Sequence, residues 1–248
     1  NLGFLKGSYN AERVRANLAI AAGTYMNANY AAETGVLKNV YEANAGLKIS
    51  KKKNLWIDAG IFSSHIGFES AVSKDCWTLT RSILADNSPY FESGVKLTYT
   101  SDNNKWVVSG LVLNGWQRIK RVDANSLMSY GTQLQYKPNS NITLNYSTFI
   151  GTDKPDSARL WRYFHNVYGV INVTGKFGIT AGFDIGSEQK TKGSNDFNTW
   201  YSPVLILKYA VTPKWTVAAR GEYYDDKYGV IIAGGTPNGF KTAGYSLN

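Results

Sequence analysis

The feature that most restricts what this chain can fold into is an alternation of apolar and polar residues with period two. Residues 54–62 read NLWIDAGIF. Leu55, Ile57, Ala59 and Ile61 fall on one face of an extended strand, and Asp58 falls on the other. A helix would scatter them. One face therefore meets something apolar and the other something wet. The pattern recurs along the chain. Residues 14–26 place Val14, Ala16, Leu18, Ile20 and Ala22 together, and residues 40–49 place Tyr41, Ala43, Ala45, Leu47 and Ile49 together. Residues 91–99 set Phe91, Val95, Leu97 and Tyr99 against Glu92 and Lys96. Residues 142–150, 177–185 and 215–224 repeat it, with Asp184, Arg220 and Glu222 on the polar side. Less regular strands are expected at 106–116, 127–136, 161–173, 200–210 and 239–248. The register of WVVSGLVLNGW is left open.

The connections alternate short and long. The short ones lie near 51–54, 101–105, 137–141, 174–176 and 211–214, and the long ones at 27–39, 63–89, 117–126, 151–160, 188–199 and 225–238. A soluble sandwich has no reason to sort its loops this way. A transmembrane barrel does, with short turns on the periplasmic side and long loops outside. Aromatic residues also collect at strand ends. Trp56, Tyr99, Trp106, Tyr136, Phe177, Tyr209 and Trp215 lie near short turns, and Tyr25, Phe91, Phe149, Tyr163, Tyr201 and Tyr223 lie near long loops. Two such bands are expected where a barrel crosses the two membrane interfaces.

Composition agrees with this reading. Of 248 residues, 43% are hydrophobic and 14% aromatic, with 24 glycines. Mean hydropathy is −0.29, and no stretch approaches the roughly 18–20 apolar residues of a spanning helix. A barrel strand needs only every second residue to be apolar, so it escapes such a scan. Cys76 is the only cysteine, which rules out a disulfide within the chain. The net charge of +9 is dispersed apart from Lys51–Lys53, read as a solvated turn. No phosphate-binding glycine loop, metal-ligand spacing or basic groove with interleaved aromatics is present. No cofactor and no nucleic acid are therefore expected.

The expected fold is all-β: a transmembrane antiparallel up-and-down β-barrel, one domain over residues 1–248. Twelve strands plus a partial one at the start are counted. Bacterial single-chain barrels have even numbers, so about 14–16 strands are expected in the full protein. The chain is expected to be a fragment, incomplete at both ends. The lumen face should carry Arg15, Lys96, Arg162, Lys208 and Arg220 against Glu42, Asp58, Glu92, Asp184 and Glu222, a wall whose charges cancel in cross-strand pairs. The loop 63–89 holds His65, Phe68, Cys76, Trp77, Leu79, Arg81, Ile83 and Leu84, too apolar for free solvation. It is expected to fold inward as a constriction, the alternative being contact with a partner. Cys76 is read as a small buried residue. A lipid-cleaving barrel needs a nucleophile beside a histidine; His65 and His165 are far apart in sequence, His165 is expected to face outward and His65 lies in the long loop, so no enzyme is expected. Acids in the loops at 152–158 and 223–229 are read as solvated charge.

Several stretches resemble a known family. NLWIDAGIFSSHIGFES, TRSILADNSPYFESGVKLTYTSDNNKW and VSGLVLNGWQ, followed by RYFHNVYGV, GFDIGSEQK and GVIIAGGTPNGFKT, are similar to the beta-barrel porin type 2 family of outer membrane proteins, over most of the chain. The resemblance implies a Bacteroidota-like source and an integral outer membrane location. It carries no catalytic motif. The chain lacks the aromatic C-terminal residue typical of such barrels. The expected function is passive diffusion of small polar solutes. The rival is a barrel that closes its own lumen and serves as a subunit of a larger envelope assembly. Expected partners are outer membrane lipid and lipopolysaccharide, with a homo-oligomer or an envelope complex in addition.

Overall fold

The structure is a computed structural model and describes residues 1–234 and 236–248. The motif GVIIAGGTPNGFKT and the loop 225–238 both include residue 235, which lies outside the described residues. Among the described residues thirteen strands form one antiparallel sheet in strict sequence order. They are β1 (Gly3–Asn10), β2 (Val14–Ala22), β3 (Val40–Lys48), β4 (Asn54–Ser63), β5 (Phe91–Thr100), β6 (Trp106–Leu113), β7 (Ser129–Asn139), β8 (Ile142–Gly151), β9 (Arg162–Asn172), β10 (Phe177–Gln189), β11 (Phe197–Ala210), β12 (Thr216–Asp226) and β13 (Phe240–Leu247). Two short helices, α1 (Thr24–Asn29) and α2 (Ile83–Asp86), sit in long loops. Among the described residues no helix is long and apolar enough to cross a membrane. The strands, mostly 8–14 residues, match the ~9–11 residues a tilted spanning strand needs.

The sheet is curled. Phe62 of β4, Leu111 and Leu113 of β6, Phe149 of β8, Phe164 of β9, Trp200 of β11 and Tyr224 of β12 meet in one buried cluster, which a flat sheet would keep apart. The opposite face exposes Leu18, Ile57, Leu97, Val108, Leu134, Leu144, Val167, Phe183, Leu205 and Val217. One face is thus an apolar exterior and the other an enclosed interior. Among the described residues β1 pairs only with β2, and β13 only with β12, so the sheet is not closed. Strands β1 and β13 run the same way, because the order is up-and-down and the count odd.

The register left open at 106–116 is fixed here. Leu111 lies opposite Lys96 and Gly131, and Val112 opposite Val95 and Tyr130. Ser109, Leu111 and Leu113 are buried, while Trp106, Val108 and Val112 face out. Two strand expectations need correction. The strand expected to reach residue 26 stops at Ala22, because Gly23 has φ 127° and the chain turns into α1, which buries Tyr25 and Met26. Tyr41 was expected to face out. The register between β2 and β3 shifts at Ala19/Ile20, and the extra residue turns Tyr41 to stack on Phe4, with centroids 5.4 Å apart.

Candidate functional site

The interior is lined by charge that is mostly paired. Arg15 of β2 donates from Nε to Asp58 Oδ1 of β4 at 2.7 Å, reaching across Gly46 of the strand between. A Cβ at Gly46 would meet Asp58 and Arg15. Trp56 supports the pair, its ring 4.3 Å below the guanidinium. Lys96 sits opposite Asp58 in the register, with Nζ 4.5 Å from the Phe62 ring. Lys6 pairs with Glu42. Arg162 donates to Glu188 at 2.9 Å and reaches Asp153 at 3.4 Å. Arg220 donates to Glu222 at 3.0 Å. Asp184 accepts from Asn166 Nδ2 at 2.6 Å. Glu92 is fully buried beside Phe62, and its carboxylate oxygens have no hydrogen-bond partner among the described residues. All ten residues expected on the lumen face therefore lie on the inner face. Lys6, Glu188 and Asn166, which sequence reasoning missed, lie there too. Lys6 and Glu188 add one charge of each sign, and Lys48 and Asp226 share the same face by register and parity.

The loop between β4 and β5 is seated on this inner face. His65 is buried. Its Nε2 lies 2.9 Å from the Thr148 carbonyl oxygen, so the proton sits on Nε2. Its own carbonyl accepts from Ser147 Oγ at 2.7 Å and Gln133 Nε2 at 3.1 Å. Burial pushes the imidazole pKa down to about 4. Gly67 N donates to Asn166 Oδ1 at 3.1 Å. On the far wall, the Arg220 guanidinium donates to Thr78 Oγ1 and Thr80 Oγ1, each at 3.1 Å, and to the Thr80 carbonyl. Glu222 accepts from Ile83 N at 2.7 Å. One ion pair of β12 thus holds two points of the loop. Burial also raises the carboxyl of Glu69, against the opposing hydrogen bonds that Ser82 donates to it.

Aromatic anchors complete the seat. The inner face of β10 carries Gly178, Gly182 and Gly186 at every fourth residue. A Cβ on Gly178 would meet the Trp77 ring, one on Gly182 the Phe68 ring, and one on Gly186 the Trp200 ring. Three glycines therefore form three slots for flat side chains, two of them filled from the loop. Lys208 Nζ lies 4.0 Å over Trp77, and Phe68 packs on Tyr168 with centroids 5.5 Å apart. Leu84 packs with Val204 and Ile206 of β11. That contact explains why PVLILK is apolar on both faces. Arg81 pairs with Asp86 at 3.1 Å and lies 5.6 Å over Tyr25. Cys76 is half-buried, and burial raises its thiol pKa. Hollows of about 250 Å³ and 620 Å³ flank the loop, the first along Ser63–Ala71 and the second between Ser73–Leu79 and β11–β12.

Two further expectations need correction. Trp56 was placed in the short-turn aromatic band. It shares the parity of Asp58 and stacks on Arg15 inside. Tyr99, Trp106, Tyr136, Phe177, Tyr209 and Trp215 lie on the outer face by register with Val95, Leu134, Leu207 and Val217. At the long-loop end Tyr25, Phe91 and Phe149 are buried. The outward aromatics there are Tyr130, Tyr163, Phe197, Tyr201 and Tyr223. The interior is also less uniformly polar than expected. Trp116 fits edge-on against Phe149 and Phe164, at 5.1 and 4.8 Å, and closes an aromatic layer near the long loops.

The family described as "Putative beta-barrel porin-2, OmpL-like" matches residues 1–248. The chain belongs to this family. Its members are porin-type barrels, and the fold is that of an outer membrane β-barrel. No curated protein is similar enough to count as a relative. Among solved structures the chain is similar to the NanC porin at 12% identity, with 99% of this chain and 90% of that chain covered and a TM-score of 0.41. It is similar to OmpT, an outer membrane protein of Vibrio cholerae, at 11% identity, 99% and 87% coverage and a TM-score of 0.44. Pseudomonas aeruginosa OccD3 (OpdP) is similar at 11% identity, 98% and 60% coverage and a TM-score of 0.47.

Proposed function

We propose that the chain forms a non-enzymatic outer membrane channel that passes small polar solutes by diffusion, with the loop 64–90 narrowing the path. Long loops face the exterior and short turns the periplasm. The observation that carries this reading is the balanced inner wall, with the loop docked across it. Charges of both signs lie side by side on the wall and are mostly paired, so it offers hydration without strong preference for either sign. The loop is held by side-chain contacts on β7–β12 and its ends lie close together, Ser64 N donating to Tyr90 O at 3.0 Å. It can therefore be shortened without breaking a strand. Deleting Ser70–Ser88 from the full chain is expected to enlarge single-channel conductance in a planar bilayer. Unchanged conductance from folded, heat-modifiable protein would refute the constriction.

The aromatic layer of Phe149, Phe164, Trp200 and Trp116 favours a second reading, in which the interior is closed and the barrel is a membrane-embedded subunit of a larger assembly. On that reading the deletion releases a co-purifying protein and leaves conductance at baseline.

A further inference from the structure

The charges of the inner wall are mostly paired with one another. Arg15 holds Asp58, Lys6 holds Glu42, Arg162 holds Glu188, and Arg220 holds Glu222. Lys208 of β11 is placed differently. Among the described residues no carboxylate lies within ion-pair distance of it, and it is half-buried rather than sealed. Its cross-strand neighbours are both small, Gly178 on β10 and Ala218 on β12. The gap at Gly178 admits Trp77 of the loop. A Cβ there would meet Cη2 and Cζ3, the far edge of the six-membered ring. Lys208 Nζ lies 4.0 Å from the centroid of that ring system. A ring face takes up one side of an ammonium, which keeps further N–H groups to donate. Entry by Cη2 and Cζ3 also turns the five-membered ring and its Nε1–H away from β10, and that N–H has no hydrogen-bond partner among the described residues.

The gap at Ala218 stays open. It belongs to the hollow of about 620 Å³ on the short-turn side of the loop, which Lys208, Trp77 and Thr216 also line. That volume lies within the range of ordinary small-molecule sites. Thr216 is exposed, and its hydroxyl is unpartnered among the described residues. The other two charges on the lining, Lys74 and Asp75, pair with each other at 2.6 Å. The hollow therefore carries one uncompensated positive charge, with an indole N–H and a hydroxyl beside it. On the loop side, Ser73, Lys74 and Asp75 supply polar groups for the rest of a solute.

We propose that this hollow is a binding site for a small hydroxylated monocarboxylate, a sugar acid in chemical class. The carboxylate takes charge-assisted hydrogen bonds from Lys208 Nζ, with the Trp77 N–H and the Thr216 hydroxyl as further donors. One net positive charge matches one carboxylate. A phosphate dianion would bring a second negative charge toward Asp75 with nothing to meet it. The inference rests on the channel reading, for which it names a solute class. It leaves the weak small-ion preference of the wall in place, because a single lysine in a side hollow makes no ring of charge across the path.

Cys76 lines the hollow, so its modification rate reads occupancy without any need for current. The test is labelling of the folded full chain in detergent by N-ethylmaleimide. Sodium gluconate is the probe, sorbitol its uncharged counterpart and glucose 6-phosphate the dianion, all at matched ionic strength. A ligand that excludes the reagent slows labelling by 1 + [L]/Kd, about tenfold at about 10 mM for a Kd of about 1 mM. Gluconate should slow labelling in this way and sorbitol should not. K208Q should lose the protection and K208R should keep it. Each is read as the ratio with and without gluconate, so that a loosened loop cancels, and folding is checked by heat modifiability. No slowing by gluconate, equal slowing by sorbitol, stronger slowing by glucose 6-phosphate, or full protection in K208Q would overturn the proposal. A planar bilayer separates this result from the channel reading. Conductance steps without protection remove the site alone, whereas protection without steps sustains the site and removes the channel.

Discussion

The glycine slots of β10 make a quantitative claim about what keeps the loop 64–90 inside the barrel. Phe68 and Trp77 enter them edge-on, over Gly182 and Gly178. Both rings are half-buried. Truncating a fully buried Phe or Trp to Ala costs ~3–5 kcal/mol, so half-burial leaves ~2 kcal/mol for each ring and ~4 kcal/mol for the F68A/W77A pair. At 1.36 kcal/mol per tenfold, docking should weaken by about 30-fold for F68A alone and by about 10³ for the pair. Cys76 reports the change without an added label, because it is the only cysteine and lies between the two anchors in sequence. Labelling of folded, bilayer-inserted protein by a bulky maleimide should accelerate by those factors, each normalised to a peptide carrying the same substitution. Conductance records should show frequent transitions to a larger level. If the double variant labels within ~3-fold of the wild type, below ~0.7 kcal/mol, the aromatic seats do not hold the loop and the argument from the glycines fails.

Three further outcomes follow. The pKa of His65 is about 4 when the loop is docked and ~6.5 when it is free. The undocked state then takes up the proton first, so docking is at full strength above pH ~6.5 and loses up to ~3 kcal/mol as pH falls to ~4. Channel noise should rise between pH 7 and 4.5 and H65Q should abolish the rise, whereas pH-independent noise in the wild type would count against a buried neutral imidazole. Gly46→Val pushes a side chain into the Arg15–Asp58 pair, an overpacking that should cost ~1–3 kcal/mol in urea unfolding from detergent, while the same change at exposed Gly7 should cost little. The balanced wall predicts a reversal potential near zero in a salt gradient, and Lys96→Glu should tilt it toward cations. A strong selectivity in the wild type would show that the uncancelled loop charges, not the wall, face the path.

Much of the fold was legible because period two is a direct readout of which side a residue takes. Asp58, Glu92, Asp184 and Arg220 could be placed from neighbours alone, and the alternation of short and long connections gave the hairpin order. What stayed hidden came from interactions between segments far apart in sequence. Nothing near Arg220 announces that it will grip Thr78 and Thr80, a separation of 140 residues or more. Trp56 looked like an interfacial aromatic because it sits beside a short turn, yet its parity with Asp58 already placed it inside. Tyr41 was misplaced by a bulge that shifts the β2–β3 register, which depends on the partner strand. One signal was present and unused. Gly178, Gly182 and Gly186 share a face, and glycines repeating on the interior face of a strand ask what large group comes close.

The two faces of a single strand also show why the register cannot drift. On β9, Arg162, Phe164, Asn166 and Tyr168 face in, where they hold Glu188, Trp116, the loop at Gly67 and Phe68. Tyr163, His165, Val167 and Gly169 face out, each in line with an outward residue of β8. A slip of one residue would exchange the sets, placing a guanidinium in lipid and leaving the loop without a seat. The penalty is charged to both faces at once: Arg162 starts β9, where a lipid-facing arginine costs only ~0–1 kcal/mol, so most of the loss is the broken Glu188 pair and the lost seat of the loop. Interior docking and the exterior surface are therefore not independent features laid on a neutral scaffold. Each pins the register that the other requires, so a variant that frees the loop by altering β9 or β10 should also be tested for its effect on the outer wall.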